Sequence, residues 1–270
     1  MTILQTILLG IIQGLTEFLP VSSSGHLVLV PHLLGWDLPA RDAFIFDVLV
    51  QVATLLAVIA YFWSDLWRIA LAFTSGLARR APFAERDSRL GWYLILATIP
   101  AGAVGLLIKD RVEAAFASPR AAAGFLLLTA ALLVLAERAG KRNRGEETFT
   151  WVDALAMGAA QILAIFPGVS RSGSTIAGGM LRDLDRPAAA RFSFLMSVPV
   201  MLAAGALALK DLLVLPHLAQ ILPQFLAGFA AAAIVGYLSI RWLLGYLTRH
   251  SLYAFAAYCA ALGLLVLALG

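Results

Sequence analysis

A single cysteine, Cys259, leaves the chain without a partner for an internal disulfide and without the thiolate cluster of a structural metal site. Charge is scarce too: Asp, Glu, Lys and Arg make up 13% of the 270 residues, against 61% hydrophobic residues. A soluble domain of this length fills its core with far less apolar surface, so the excess must face lipid. The N-terminus, Met1-Thr2-Ile3-Leu4-Gln5, has no basic region and no convincing cleavage site follows it. The first apolar segment is therefore expected to stay in the mature protein. Alternating, turn-punctuated strands of a membrane barrel are absent, as are a Walker A loop, a dinucleotide glycine fingerprint and a zinc-type histidine motif. The net charge of +4 and pI near 9.5 are better read as basic loops on one membrane face than as a nucleic-acid surface. No nucleic-acid partner is expected.

What remains is an all-α polytopic membrane protein forming a single integral membrane domain over 1–270. Apolar segments lie at about 3–19, 27–34, 44–63, 91–108, 120–137, 153–166, 174–181, 189–209, 221–243 and 252–269. The runs at 120–136 and 252–269 approach the ~20 residues that cross ~30 Å of hydrocarbon as helix. Those at 27–34 and 174–181 are eight residues each, about 12 Å as helix and too short to span. Each follows a Pro/Ser/Gly break and a longer arm, which predicts a re-entrant helical hairpin whose tip must be surrounded by protein or a polar cavity.

The two hairpins belong to an internal repeat. Gly10-x-x-Gln13 followed by Pro20-Val21-Ser22-Ser23-Ser24-Gly25 parallels Gly158-x-x-Gln161 followed by Pro167-Gly168-Val169-Ser170-Arg171-Ser172-Gly173, at an offset of about 148 residues. Phe46-x-x-Leu49-x-x-Val52 likewise parallels Phe192-x-x-Leu195-x-x-Val198. Repeat 1 covers about 1–140 and repeat 2 about 150–270, each reading as one hairpin plus three transmembrane helices. An odd number of crossings per half predicts an inverted repeat. Six spans put Arg68, Arg79, Arg80, Arg86, Arg89, Arg138, Lys141, Arg142, Arg144, Arg182, Arg186, Arg191, Arg241 and Arg249 on one side, and only Arg41, Lys109, Arg111, Arg120 and Lys210 on the other. Fourteen against five makes the first side cytoplasmic. Both termini then face outward, and the hairpin tips are expected to meet near the midplane.

Polar residues in this apolar chain mark the chemistry. Glu17 lies within Leu15-Thr16-Glu17-Phe18-Leu19, where an ionised carboxylate is expensive and rarely faces lipid. Gln13, four residues earlier, shares its helix face. The pair can hold a divalent cation or orient water and a phosphate oxygen, whereas a structural reading has Glu17 capping the hairpin tip. Ser22-Ser23-Ser24-Gly25-His26 offers hydroxyls and N–H groups at a helix start, a setting that attracts anions. His26 can exchange a proton near neutral pH. In the second break Arg171 suits bidentate phosphate contact, and Ser170, Ser172, Gly173 and Thr175 let the backbone approach an anion. An arginine paired with Glu17 for structure alone is the competing reading. Asp47 and Gln51 share a face and could line a cavity; His32 and His217 read as interfacial, and Arg138 to Glu147 as a solvated loop.

At these residues the sequence closely resembles the undecaprenyl-diphosphate phosphatase family, also known as bacitracin-resistance proteins. The resemblance covers essentially the whole chain and is specific at 13–26 and 167–173. The family's first motif has Glu or Gln, three residues, then Glu; this chain has the Gln form, which leaves Glu17 as the only carboxylate there. The resemblance implies a multi-pass hydrolase of the bacterial inner membrane that converts undecaprenyl diphosphate to undecaprenyl phosphate, with its cleft opening to the periplasm. It also implies a divalent cation, Mg²⁺ or Ca²⁺, for which Glu17 is the candidate ligand and Gln13, without a carboxylate, a weaker one. Glu17, Ser23, His26 and Arg171 are the expected catalytic residues, and Gln13, Ser22, Ser24, Gly25, Ser170, Ser172, Gly173 and Thr175 the substrate-binding ones. Ser23 is the candidate nucleophile, with Ser22 or direct attack by water left open and His26 as base or leaving-group acid. The expected partners are the polyprenyl diphosphate and the membrane, with a homodimer left open. The phosphatidic-acid-phosphatase superfamily is excluded, since its His and Asp six and ten residues after the arginine are replaced by Ala177 and Leu181. A membrane transporter or flippase for a polyprenyl phosphate is the alternative that inverted repeats allow.

Overall fold

The computed structural model describes residues 1–116, 118–213 and 218–269. His217 and the side chains of Arg41, Lys109 and Lys210 lie outside the described residues. The described chain is helical: α1 (Ile3–Phe18), α2 (Ser23–Leu33), α3 (Ala40–Tyr61), α4 (Trp63–Ala78), α5 (Arg86–Leu107), α6 (Lys109–Phe116), α7 (Pro119–Ala139), α8 (Trp151–Leu163), α9 (Arg171–Met180), α10 (Arg186–Leu213), α11 (Leu218–Leu247) and α12 (Tyr253–Leu269). Four stretches, Asp42–Tyr61, Arg86–Leu107, Pro119–Ala139 and Ile221–Leu247, are long and apolar enough to cross a membrane. The apolar α12 has 17 residues, the lower end of the spanning range. Two helices lie outside the expected apolar segments. In α4, Asp65 and Arg68 interrupt the hydropathy while Trp63, Trp67 and Leu71 stay exposed; α6 opens on Lys109-Asp110-Arg111.

Local chemistry sets where the arms begin and end. Thr2 caps α1 reciprocally with Gln5, and Thr150 caps α8 reciprocally with Asp153. These two capping boxes are again 148 residues apart. Both arms stop a few residues before a proline, Pro20 or Pro167. Small residues then permit close crossings. Gly10 and Gly14 of α1 lie against Gly228, Ala232 and Gly236 of α11, and Gly158 of α8 lies against Ala97 of α5.

One end of the molecule gathers the basic residues into ionic networks. Glu137, 4% exposed, accepts bonds from Arg142 (2.8 Å), from Arg186 (2.7 and 2.6 Å) and from the Leu252 N–H (2.8 Å). Fully buried Asp153 receives Arg144 at 2.7 Å and Arg182 at 3.2 Å. The Asp153 carboxylate beside it raises the pKa of Arg144 above its ordinary value. The segment 138–147 is therefore pinned by arginines that reach back into the helix ends, where a freely solvated loop was expected. Arg191 pairs with Asp65 (2.7 Å) and Glu146 (3.2 Å) and lies over the Phe62 ring at 5.5 Å. Burial raises the pKa of Glu146 from its ordinary value, and Arg191 and Arg86 oppose that shift.

Glu137→Ala would leave two arginines and a backbone N–H without their shared acceptor, at a cost of about 3 kcal/mol. The expected result is a clearly lowered melting temperature in detergent. An unchanged melting temperature would contradict the network's structural role.

Candidate active site

The two Pro/Ser/Gly breaks fold into the same local device. Ser22 caps α2 through a bond from the Gly25 N–H to its Oγ (3.2 Å), and Ser170 caps α9 through the same bond from Gly173 (3.0 Å). The Oγ atoms of Ser22 and Ser24 are 3.3 Å apart, and those of Ser170 and Ser172 are 3.1 Å apart. The breaks lie against each other. Ser172 donates to the Leu19 carbonyl at 3.0 Å. A Cβ at Gly25 would come within 3.0 Å of the Gly168 Cα, and one at Gly173 within 3.3 Å of the Pro20 Cβ. Gly168 itself has φ +97° and passes so close to the Ala122 carbonyl that no side chain fits.

Where the breaks meet, Glu17 at the end of α1 is bonded by the first residue of each short helix. Ser23 donates its hydroxyl to Glu17 Oε2 at 2.6 Å, and Arg171 donates through Nη2 to Glu17 Oε1. Gln13 adds a bond from its amide nitrogen to Oε2 at 3.0 Å, and Thr54 of α3 lies 3.5 Å from the same nitrogen. Arg171 Nη1 is buried and has no partner among the described residues, so one arm of the fork remains available. Of these residues, Glu17, Ser23 and Arg171 line a cleft of about 150 Å³, together with Ser24, Gln51 and Met201 among others. That is several times the space one water occupies. Of Asp47 and Gln51, for which the sequence leaves lining and packing both open, Gln51 lines the cleft and Asp47 does not.

The remaining expected site residues take supporting places. Gln13, Ser22, Gly25, Ser170, Ser172, Gly173 and Thr175 are buried. Thr175 donates to the Arg171 carbonyl at 2.7 Å and lies 2.7 Å from the Ser193 hydroxyl. The N–H groups of Gly25 and Gly173 are used by the caps, so the first two N–H groups of each helix are the ones left without a helical partner. His26 is not brought to Ser23. Its Nδ1 lies 2.7 Å from the Ser22 carbonyl, and its Nε2 lies 2.7 Å from the hydroxyl of Tyr258 on α12. Ser22 adopts φ +70°, a conformation that costs a non-glycine residue about 1–3 kcal/mol. Its counterpart Ser170 is relaxed at φ −69°.

Several contributors were invisible to spacing arguments. Thr129, alone in the apolar middle of α7, accepts from the Ser170 N–H and donates to the Gly168 carbonyl, both at 2.9 Å. Tyr258 and the buried Cys259, whose Sγ is 3.7 Å from the Pro20 carbonyl, touch the first break from α12. Gln161, the counterpart of Gln13, has no carboxylate four residues on, and neither atom of its buried amide has a partner among the described residues.

The donor set also bears on a divalent cation. Among the described residues no group of three or more His, Cys, Asp or Glu side chains could cage one. Glu17, the Ser23 and Ser24 hydroxyls and Gln51 line the cleft with oxygen donors, and the unpartnered, buried Gln13 Oε1 belongs to the amide that bonds Glu17. Such a donor set suits a hydrated Mg²⁺ or Ca²⁺ that takes its remaining ligands from water and substrate phosphates.

Comparison with known proteins places the chain in a family. The family model for the bacitracin resistance protein BacA matches residues 6–265. A protein of Corynebacterium striatum named undecaprenyl-diphosphatase is 46% identical over 271 residues, covering 100% of this chain and 95% of its own length. Like-named proteins of Chloroherpeton thalassium and Moorella thermoacetica are 45% and 43% identical, with 100% and 99% of this chain covered and 97% and 98% of theirs. The chain therefore belongs to the bacitracin resistance protein BacA family.

Proposed function

We propose that this protein hydrolyses undecaprenyl diphosphate to undecaprenyl phosphate and inorganic phosphate in the membrane, recycling the lipid carrier of cell-wall polymers and conferring bacitracin resistance. The observation that carries this reading is the Glu17 carboxylate bonded at once by the Ser23 hydroxyl and the Arg171 guanidinium, at the meeting of two helix N-termini. A nucleophile, an acceptor for its proton and an anion-binding fork thus share one cleft. Full-length relatives named for the same activity add to it.

In this mechanism the terminal phosphate enters the cleft and draws Arg171 onto its oxygens, with Nη1 as the first free donor. Ser23 Oγ attacks the terminal phosphorus while its proton passes to Glu17 Oε2. The bond between that phosphorus and the bridging oxygen breaks, and undecaprenyl phosphate leaves. Glu17 returns that proton to Ser23 Oγ as water cleaves the phosphoserine, and inorganic phosphate is released. Arg171 and the free N–H groups at the starts of α2 and α9 stabilise the charge that develops on the phosphoryl oxygens. A Mg²⁺ ion held by Glu17, with Gln13 Oε1 as a further donor, would supply additional charge neutralisation to the diphosphate. The buried polar residues around these groups keep their positions through capping and side-chain bonds.

The architecture we propose is an inverted repeat, about 1–140 and 150–270, with α1–α2 and α8–α9 as re-entrant hairpins. Support comes from the matched capping boxes, the matched Ser22 and Ser170 caps and the mutual contact of the breaks. The arginine-rich end is cytoplasmic by the charge rule, so the termini and the cleft are periplasmic.

Purified protein given undecaprenyl diphosphate and Mg²⁺ should release phosphate, and absence of release would sink the enzyme reading. Glu17→Gln, Ser23→Ala and Arg171→Ala should each lower kcat by about a hundredfold or more; full rates in all three would overturn the site. Chelation by EDTA should stop release and added Mg²⁺ restore it, whereas undiminished turnover in EDTA would contradict the cation.

A further inference from the structure

His26 is bonded on both sides, and the two bonds fix its proton. A carbonyl oxygen can only accept, so the 2.7 Å contact with Ser22 requires the proton on Nδ1. In the neutral ring Nε2 then carries a lone pair, and the Tyr258 hydroxyl 2.7 Å away must donate to it. The two rings lie nearly parallel, at 5°. Tyr258 is 46% exposed, whereas His26 is 5% exposed, so the phenol reaches inward from an otherwise apolar helix to meet a buried partner.

The second break provides an internal comparison. There the position matching His26 is Ser174, which donates to the Arg171 carbonyl at 3.1 Å and has no hydrogen bond to a tyrosine among the described residues. The matching cap, Ser170, is relaxed, and Thr129 of α7 holds the neighbouring backbone. In the first break the cap residue Ser22 is forced to φ +70°, and the turn is held by Tyr258 through His26 and by Cys259 at the Pro20 carbonyl. The strained turn and the His–Tyr pair occur together, and that turn leads directly into Ser23.

We propose that Tyr258 is a positioning residue for the phosphatase reaction: its hydroxyl locks His26 as the Nδ1–H tautomer against the Ser22 carbonyl, and so holds the turn that presents Ser23 to Glu17. Tyr258 touches neither Glu17 nor the substrate phosphate; it acts through His26. The proposal rests on the phosphatase reading above, and its test separates the two.

Tyr258→Phe keeps the ring and removes only the donor. The expected result is a kcat about tenfold lower with KM within about twofold of wild type, and a melting temperature close to wild type. Because the residues act in series, His26→Ala/Tyr258→Phe should be no slower than His26→Ala alone. Wild-type kcat in Tyr258→Phe, a full rate in His26→Ala, or losses that multiply in the double variant would each overturn the proposal and leave the enzyme intact. An inactive wild type would instead remove the phosphatase reading. Independently of any variant's folding, ¹⁵N spectra of histidine-labelled wild type should show His26 protonated at Nδ1; protonation at Nε2 instead would overturn it.

Discussion

A carboxylate buried among apolar helices must be given partners, because leaving it unpaired costs more than most contacts in the fold contribute. Glu17 is such a group, and the chain supplies its main partner from Arg171, 154 residues away. That pairing can form only if two helix breaks from opposite ends of the sequence meet. The glycines at 25, 168 and 173 leave room for that meeting, and the matching caps of Ser22 and Ser170 shape it. The rest of the helix packing serves to hold the two breaks in register.

The holding is crosswise. α7, which closes the first half, secures the second break through Thr129, and α12, which closes the second half, secures the first through Tyr258 and Cys259. Behind Glu17 three buried rings, Phe18, Phe194 and Phe62, lead to Arg191 and the ionic end. There Glu137 and Asp153 bind the connecting loops to the helix ends. Glu17 thus sits between an apolar layer of buried rings and the cleft that Ser23, Ser24 and Arg171 line.

Much of this was legible in the sequence because polar residues stand out against an apolar background. The repeated Pro/Ser/Gly breaks, Glu17, Gln13 and Arg171 are conspicuous for that reason, and the structure brings them together. What stayed hidden had no contrast or no spacing to betray it. Helix α4 mixes charges with tryptophans, so a search for apolar runs passes over it. Thr129 and Tyr258 are single polar residues in apolar helices, and nothing local says which break they will reach. His26 stands out as a titratable residue in an apolar chain, but the direction its ring faces depends on α12, more than 200 residues away. The two halves also differ where one strand of reasoning expects likeness: Gln13 has Glu17 to bind, whereas Gln161 has no such partner.

The central claim is that Glu17 and Ser23 act as one unit. Phosphate release from undecaprenyl diphosphate, measured for Glu17→Gln, Ser23→Ala and the double variant, tests it most directly. The double variant should be about as slow as the slower single variant. Losses that multiply would mean that the two residues act independently, and the bond joining them would not be part of the reaction.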